Sequence, residues 1–278
     1  MEQKGEIKMN GLIIGGDMRF PRLWRMLSED GHGFFPLAME KAVSLEGPLD
    51  YSGVDRVILP LPAERDGKLN APLCGGIHTA EEFLRPLRPG TVVWAGMAGE
   101  ALSDLCGKKG LVLKDYFKSE ALQQKNAMLT AEGAIALMLT MDEKCLCGRR
   151  ALISGFGRIA RLLAPRLRAL GMDVWVAARS ASDRAAAEAM GLRGCAIAGC
   201  GEKKWDFVLN TVPHVIFGRE ALAAFRGANL IELASPPYGF DMAQARGLGI
   251  KVEIASALPS RFSPESAAEA IKDAILEG

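Results

Sequence analysis

The sequence predicts an α/β protein of two domains, each built on a parallel sheet. Three observations predict it. Short apolar runs alternate with helix-spaced segments along the chain, the pattern of repeated strand–helix–strand units. The 278 residues suffice for two domains of about 100–150 residues each. Gly155-Phe156-Gly157-Arg158-Ile159-Ala160 falls between an apolar run and a helical segment, which marks the opening of a dinucleotide-binding unit. Residues 1–125 therefore read as a flavodoxin-like or Rossmann-like domain, and residues 126–278 as a doubly wound NAD(P)-binding Rossmann domain.

The elements follow in order. Leu12, Ile13 and Ile14 run into Gly15 and Gly16, a strand ending in a turn, and residues 20–27 continue as a helix. A second apolar strand over 54–59 is closed by Pro60 and Pro62, which cannot continue a central ladder. Strands are predicted over 91–95 and 111–113, with helical spacing over 78–87 between them. Residues 121–141 read as one long helix at the domain junction, where Gly133 permits either a close packing contact or a kink. Beyond Arg150, strands over 151–154, 173–177, 207–210, 229–232 and 251–254 alternate with helices over 158–170, 183–190, 220–225 and 266–276.

Composition narrows the function classes. With 34 basic and 33 acidic residues the net charge is +1, so global charge suggests neither a nucleic-acid nor an anionic-membrane partner. Of six cysteines, the Cys145-x-Cys147 pair lacks a second close pair or a following His, so thiols without a metal are expected. The N-terminal stretch is charged and then strand-like, without the apolar centre of a secretory leader. No apolar run reaches the ~18 residues of a membrane span. A cytoplasmic protein is expected.

The glycine motif carries the clearest chemistry. Gly155 makes the tight turn, Gly157 lets a pyrophosphate approach the backbone, and Ala160 lets the helix pack on the sheet. Phosphate charge would sit over the helix N-terminus, so Gly155, Phe156, Gly157, Arg158 and Ile159 form the predicted cofactor contact. The next strand ends in Arg179 and Ser180, where an NAD-selective site commonly carries an acid. A guanidinium can clamp a phosphate and a serine hydroxyl can donate to it, so NADP is favoured, with NAD as the second choice. The alternative is an Arg179 that is merely solvated or stacks on adenine. Asn210, Thr211 and Pro213 close a later strand and would lie near the nicotinamide or its ribose, or else form only a strand-ending turn.

Substrate chemistry is less sharply marked. Asp17 and Arg19 follow the first glycine turn. Arg19 would grip a substrate carboxylate with Asp17 orienting it, or the two would form a surface pair. Thr130 and Glu132 lie on the junction helix, where Thr130 would meet ligand and Glu132 would transfer a proton; capping or pinning the helix is the alternative. Of His32, His78 and His214, only His214 stands next to the predicted cofactor edge. The apolar run 134–139 faces either the other domain or another copy in a homo-oligomer.

Taken together, GGDMR at 15–19, DG at 66–67, NAMLTAEG at 126–133, GFGRIA at 155–160, AARS at 177–180, NTVP at 210–213, LASPPYGFD at 233–241 and ALPSRFSPESAAEAI at 257–271 resemble, in order and spacing, the dipicolinate synthase A-subunit family. The resemblance implies NADP-linked oxidation of a dihydrodipicolinate-type intermediate to pyridine-2,6-dicarboxylate in the mother-cell cytoplasm of a sporulating bacterium. It also implies a partner, the flavoprotein-like B subunit, and a small dicarboxylate substrate, for which Arg19 is a sensible contact. The chain departs from the family's pattern at Pro236-Pro237-Tyr238-Gly239, at Ser260 and at Ser266-Ala267-Ala268. The first of these removes an Arg at 236 and with it a carboxylate contact. The departures leave open an NADP-dependent dehydrogenase of another small carboxylate, or a non-catalytic dinucleotide-binding assembly subunit.

Overall fold

Two glycine turns, each at the end of a buried strand, organise the chain. The computed structural model describes residues 9–43, 51 and 53–278; the charged stretch 1–8, on which the expectation of no leader rests, lies outside the described residues. The chain divides into two units, Met1–Asn126 with Ser263–Gly278, and Ala127–Phe262.

The first unit contains β1 (Asn10–Ile14), α1 (Arg19–Glu29), β2 (Gly33–Leu37), β3 (Arg56–Ile58), the short pair β4 (Glu64–Arg65) and β5 (Lys68–Leu69), α2 (Ala80–Leu84), β6 (Val92–Ala95), α3 (Glu100–Lys109), β7 (Val112–Asp115) and the start of α4 (Glu120–Met141). Five strands form a sheet in the order β2-β1-β3-β6-β7, parallel throughout. Setting aside the β4–β5 hairpin, this is the flavodoxin-like order. Leu12, Ile13 and Ile14 are all buried, as a central parallel strand covered on both faces requires. The strand β2 and helix α3 were not predicted. Pro36 lies within β2, and the order explains how: β2 is an edge strand, where a missing donor is tolerated.

The second unit contains the rest of α4, then β8 (Arg150–Ser154), α5 (Arg158–Ala169), β9 (Asp173–Ala177), α6 (Ala181–Ala189), β10 (Arg193–Cys195), β11 (Phe207–Asn210), α7 (Arg219–Ala224), β12 (Asn229–Glu232), α8 (Met242–Gly247), β13 (Val252–Ile254) and α9 (Leu258–Phe262). Its six strands are ordered β10-β9-β8-β11-β12-β13, all parallel, the Rossmann order. Gly133 serves close packing: a Cβ there would stand 2.8 Å from Leu258 Cβ on α9. Along 134–139, Ala134, Leu137 and Met138 are buried while Leu139 is exposed.

The final helix, α10 (Pro264–Glu277), is expected from sequence to belong to the second domain. It packs on α1 instead. Ala268, Ala270, Ile271, Ala274 and Ile275 share one core with Phe20, Leu23 and Leu27. Ion pairs line the rim of this packing, Arg22 with Glu265 at 3.3 Å and Lys272 with Asp30 at 2.7 Å. No helix among the described residues is long and apolar enough to cross a membrane.

Candidate functional site

In open parallel sheets ligands bind beyond the carboxyl ends of strands, where the strand order reverses. In the second unit that point lies between β8 and β11. Gly155 follows β8 with φ +84°, and a Cβ at this residue would stand 2.8 Å from Thr211 Oγ1 and from Val212 Cγ2. Glycine is thus needed for both the left-handed backbone and the close approach to the neighbouring loop. Gly157 has the opposite surroundings. It is extended at the N-terminus of α5, with no side-chain cap on that helix, and an added Cβ would meet nothing within 4 Å. The residue before the first turn of α5 therefore leaves room for a ligand to approach the backbone, which fits a pyrophosphate bound on backbone amides. Phe156 is buried, Arg158 is exposed and Ile159 is half-buried, while Ala160 is fully buried against the core. Arg161, not singled out from sequence, braces the turn. Its Nε donates to Phe156 O at 2.8 Å, its guanidinium stacks 4.6 Å from the Phe156 ring, and it pairs with Asp183 at 3.5 Å.

At the end of β9, Arg179 is exposed and among the described residues has no ion-pair partner. Ser180 caps α6, its Oγ accepting from Asp183 N at 3.4 Å and lying 2.5 Å from Ser182 Oγ. A second guanidinium shapes this loop: Arg184 Nη1 donates to the carbonyls of Ala178 at 2.8 Å and Arg179 at 2.9 Å. Arg184 sits five residues beyond Arg179, so a helix turn brings it back, and sequence reasoning passed over it.

On the other side of the reversal, Asn210 is fully buried and Pro213 and His214 are exposed. Thr211 Oγ1 donates to Ser154 O at 2.7 Å, so its hydroxyl is committed to joining the two strand ends. Ser154, Asn210 and Glu232 stand abreast on β8, β11 and β12. Ser154 Oγ donates to Asn210 Oδ1 at 2.6 Å, and Asn210 Nδ2 donates to Glu232 Oε1 at 2.5 Å and to Val212 O at 2.9 Å. Glu232 is 1% exposed. Burial pushes its carboxyl above the usual carboxylate range, against the opposing pull of hydrogen bonds from Asn210, Ala234, Gly239 and Phe240. Sequence reasoning missed Glu232, although a charge between Ile231 and Leu233 in an apolar strand was a usable signal.

In the first unit, Asp17 and Arg19 lie at the corresponding reversal between β1 and β3. They form a bidentate pair, Nε to Oδ1 and Nη2 to Oδ2, both at 2.8 Å. This is not a surface pair, because the two side chains are only 6% and 14% exposed, Arg19 being the less exposed. Arg19 Nη2 also donates to Leu61 O. Tyr116, another residue not picked out from sequence, is buried here and donates to Leu59 O at 2.9 Å; burial pushes its phenol well up.

On α4, Thr130 is buried and Glu132 is half exposed, 3.9 Å from Arg166 Nη2. Arg166 leaves α5 about two turns beyond its start, so Glu132 is engaged with the flank of that helix rather than with the glycine turn. The other histidines have structural partners: His32 Nδ1 accepts from Met9 N at 3.2 Å, and His78 Nδ1 lies 2.9 Å from Glu82 Oε2. A cavity of about 570 Å³ opens at the opposite edge of the second sheet, lined by Leu137, Met141, Asn229 and Lys251. It lies at the starts of β12 and β13, away from the strand ends that carry the site. Among the described residues no group of His, Cys, Asp and Glu could hold a metal ion.

Known proteins are similar to this chain in sequence and in fold. Residues 11–117 match the family model of the N-terminal domain of the dipicolinate synthase A subunit. The A subunit of dipicolinate synthase from Bacillus subtilis is 25% identical over 276 residues, covering 95% of this chain and 93% of that protein. The crystal structure of the dipicolinate synthase A subunit from Bacillus halodurans superposes with a TM-score of 0.83 at 24% identity, covering 97% of both chains. A transhydrogenase from Sinorhizobium meliloti shares the fold at a TM-score of 0.65 and 12% identity, over 96% of this chain and 91% of that one. Over both of its units the chain is similar in sequence to the A subunit of dipicolinate synthase, and its first unit matches that subunit's N-terminal domain model.

Proposed function

We propose that the chain is an NADP-dependent oxidoreductase that oxidises a dihydrodipicolinate-type ring to pyridine-2,6-dicarboxylate during sporulation. The observation that carries the cofactor choice is Arg179, exposed and without an acidic partner among the described residues, at the strand end where an NAD-selective site holds an acid. The near full-length similarity to the dipicolinate synthase A subunit supports the reaction. Gly155, Phe156, Gly157, Arg158 and Ile159 hold the pyrophosphate, chiefly through backbone amides. Arg179 and Ser180 take the 2′-phosphate, and NAD, which lacks it, binds more weakly. Asn210, Thr211 and Pro213 border the nicotinamide side, Asn210 and Thr211 by fixing the backbone there rather than by direct chemistry.

When bound, NADP supplies the hydride acceptor. The substrate ring gives up one hydride and one proton, and gaining aromaticity favours the loss, so no strongly basic side chain is required. Arg19 recognises a substrate carboxylate, with Asp17 fixing the guanidinium plane by its bidentate pair; Thr130 is a further polar contact for substrate. Glu132 keeps a structural pairing with Arg166 and is assigned no proton. A flavoprotein-like B subunit is the partner, and the mother-cell cytoplasm is the site of action.

The test is turnover. The purified chain is given enzymatically generated dihydrodipicolinate and NADP, with and without the B subunit. The absorbances of NADPH and pyridine-dicarboxylate are followed. Both products are expected to appear together in equal amounts. NADP binding without turnover, even with the partner present, would overturn the reaction. Turnover of a different small carboxylate instead would overturn the dipicolinate reading in favour of an NADP-dependent dehydrogenase of that carboxylate.

A further inference from the structure

One buried carboxylate anchors a loop that the cofactor reading leaves unused. Glu232 closes β12 and is almost inaccessible. Its Oε1 accepts from Asn210 Nδ2 at 2.5 Å and Ala234 N at 3.0 Å, and its Oε2 from Gly239 N at 2.9 Å and Phe240 N at 3.4 Å. Four donors converge on two oxygens, an arrangement that an ionised carboxylate satisfies and an amide cannot, because one end of an amide would oppose donor to donor. The loop from 234 to 240 is thereby drawn over the strand ends. Gly239 packs so tightly that an added Cβ would collide with the Asn210 side chain, and its carbonyl accepts from Ile216 N and Phe217 N at 2.9 Å each.

Asn210 links this loop to its neighbour. The same side chain that donates to Glu232 receives Val212 N at 3.1 Å and donates to Val212 O at 2.9 Å. Two loops, 211–213 and 234–240, are thus set by one buried pair. In a Rossmann sheet the adenosine half of a dinucleotide lies toward the second strand, here β9, and the other half lies over the strands beyond the reversal, here β11 and β12.

We propose that Glu232 is a positioning residue for the nicotinamide half of the cofactor, acting through Asn210 and the backbone of 234–240. It does not touch the adenosine half, which is held at β8 and β9. The inference rests on the dinucleotide reading of the second unit, and the test separates the two.

Wild type, Glu232→Gln and Glu232→Ala are titrated with NADPH and with 2′,5′-ADP, which carries the adenosine and both phosphates but no nicotinamide. Both variants are expected to lose about tenfold or more in NADPH affinity, as displaced positioning groups do, while 2′,5′-ADP binding stays within about twofold of wild type. Amide hydrogen exchange on the same samples is expected to speed up at Gly239 and Phe240 while β8 and β11 stay protected. Equal loss of both ligands, with exchange rising throughout the sheet, would make Glu232 a fold residue and overturn the proposal. Unchanged NADPH binding would overturn it too. A wild-type protein that binds neither ligand would overturn the dinucleotide reading itself and this inference with it.

Discussion

Arg179 and Asp17 show how far single residues carry function here. A guanidinium with no acid beside it is available to a phosphate, and Arg179 has that character at a strand end. Arg19 has the opposite situation, since Asp17 already occupies two of its nitrogens, leaving a fixed, oriented cation rather than a mobile one. A buried pair of this kind is costly to break from one side only, by about 3–5 kcal/mol, so Asp17 and Arg19 act as a unit. For Arg179 the expectation is direct. Arg179→Ala lowers NADP affinity by about tenfold to a hundredfold, the loss of a charge-assisted phosphate contact of about 1.5–3 kcal/mol, and leaves NAD affinity nearly unchanged. Titration calorimetry with both cofactors checks it. A variant that keeps its preference for NADP would remove Arg179 from the phosphate site.

Elements were legible where a local pattern sufficed. The β8–α5–β9 unit is visible because the glycines stand at fixed offsets between an apolar run and a helix; Gly155 has a steric cause in the structure, and Gly157 leaves open room at the helix start. The edge strand β2 escaped notice because Pro36 argues against a strand unless its edge position is known. Helix α3, Glu100–Lys109, has few apolar residues and carries Gly107, so its periodicity is weak. The apolar face of α10 was readable, but a face does not name its partner. Only the fold reveals that Ile271 and Ile275 complete the core begun by Phe20 and Leu23. Ile271→Ala should therefore destabilise the first unit by about 2–5 kcal/mol, although residue 271 follows the whole of the second. Denaturant unfolding monitored by hydrogen exchange of β1 and α1 checks this; a loss confined to the β8–β13 sheet would contradict the packing.

At the scale of the molecule, the chain joins two parallel sheets of different order, β2-β1-β3-β6-β7 and β10-β9-β8-β11-β12-β13. Each puts its glycine turn at its own reversal point, and the candidate residues gather there: Asp17 and Arg19 in one unit, Gly155, Arg179 and Asn210 in the other. What the sequence did not disclose is mainly the buried polar framework beneath those turns. Ser154, Asn210 and Glu232 are separated by 56 and 22 positions along the chain, and only strand register sets them side by side. The central claim is that the reversal between β8 and β11 is an NADP site. Amide hydrogen exchange with and without saturating NADPH tests it most directly. Protection is expected at 155–160, at 178–182 and at 211–213, and it should weaken at 178–182 when NADH replaces NADPH. Exchange unchanged in all three segments, or protection confined to the first unit, would contradict the account.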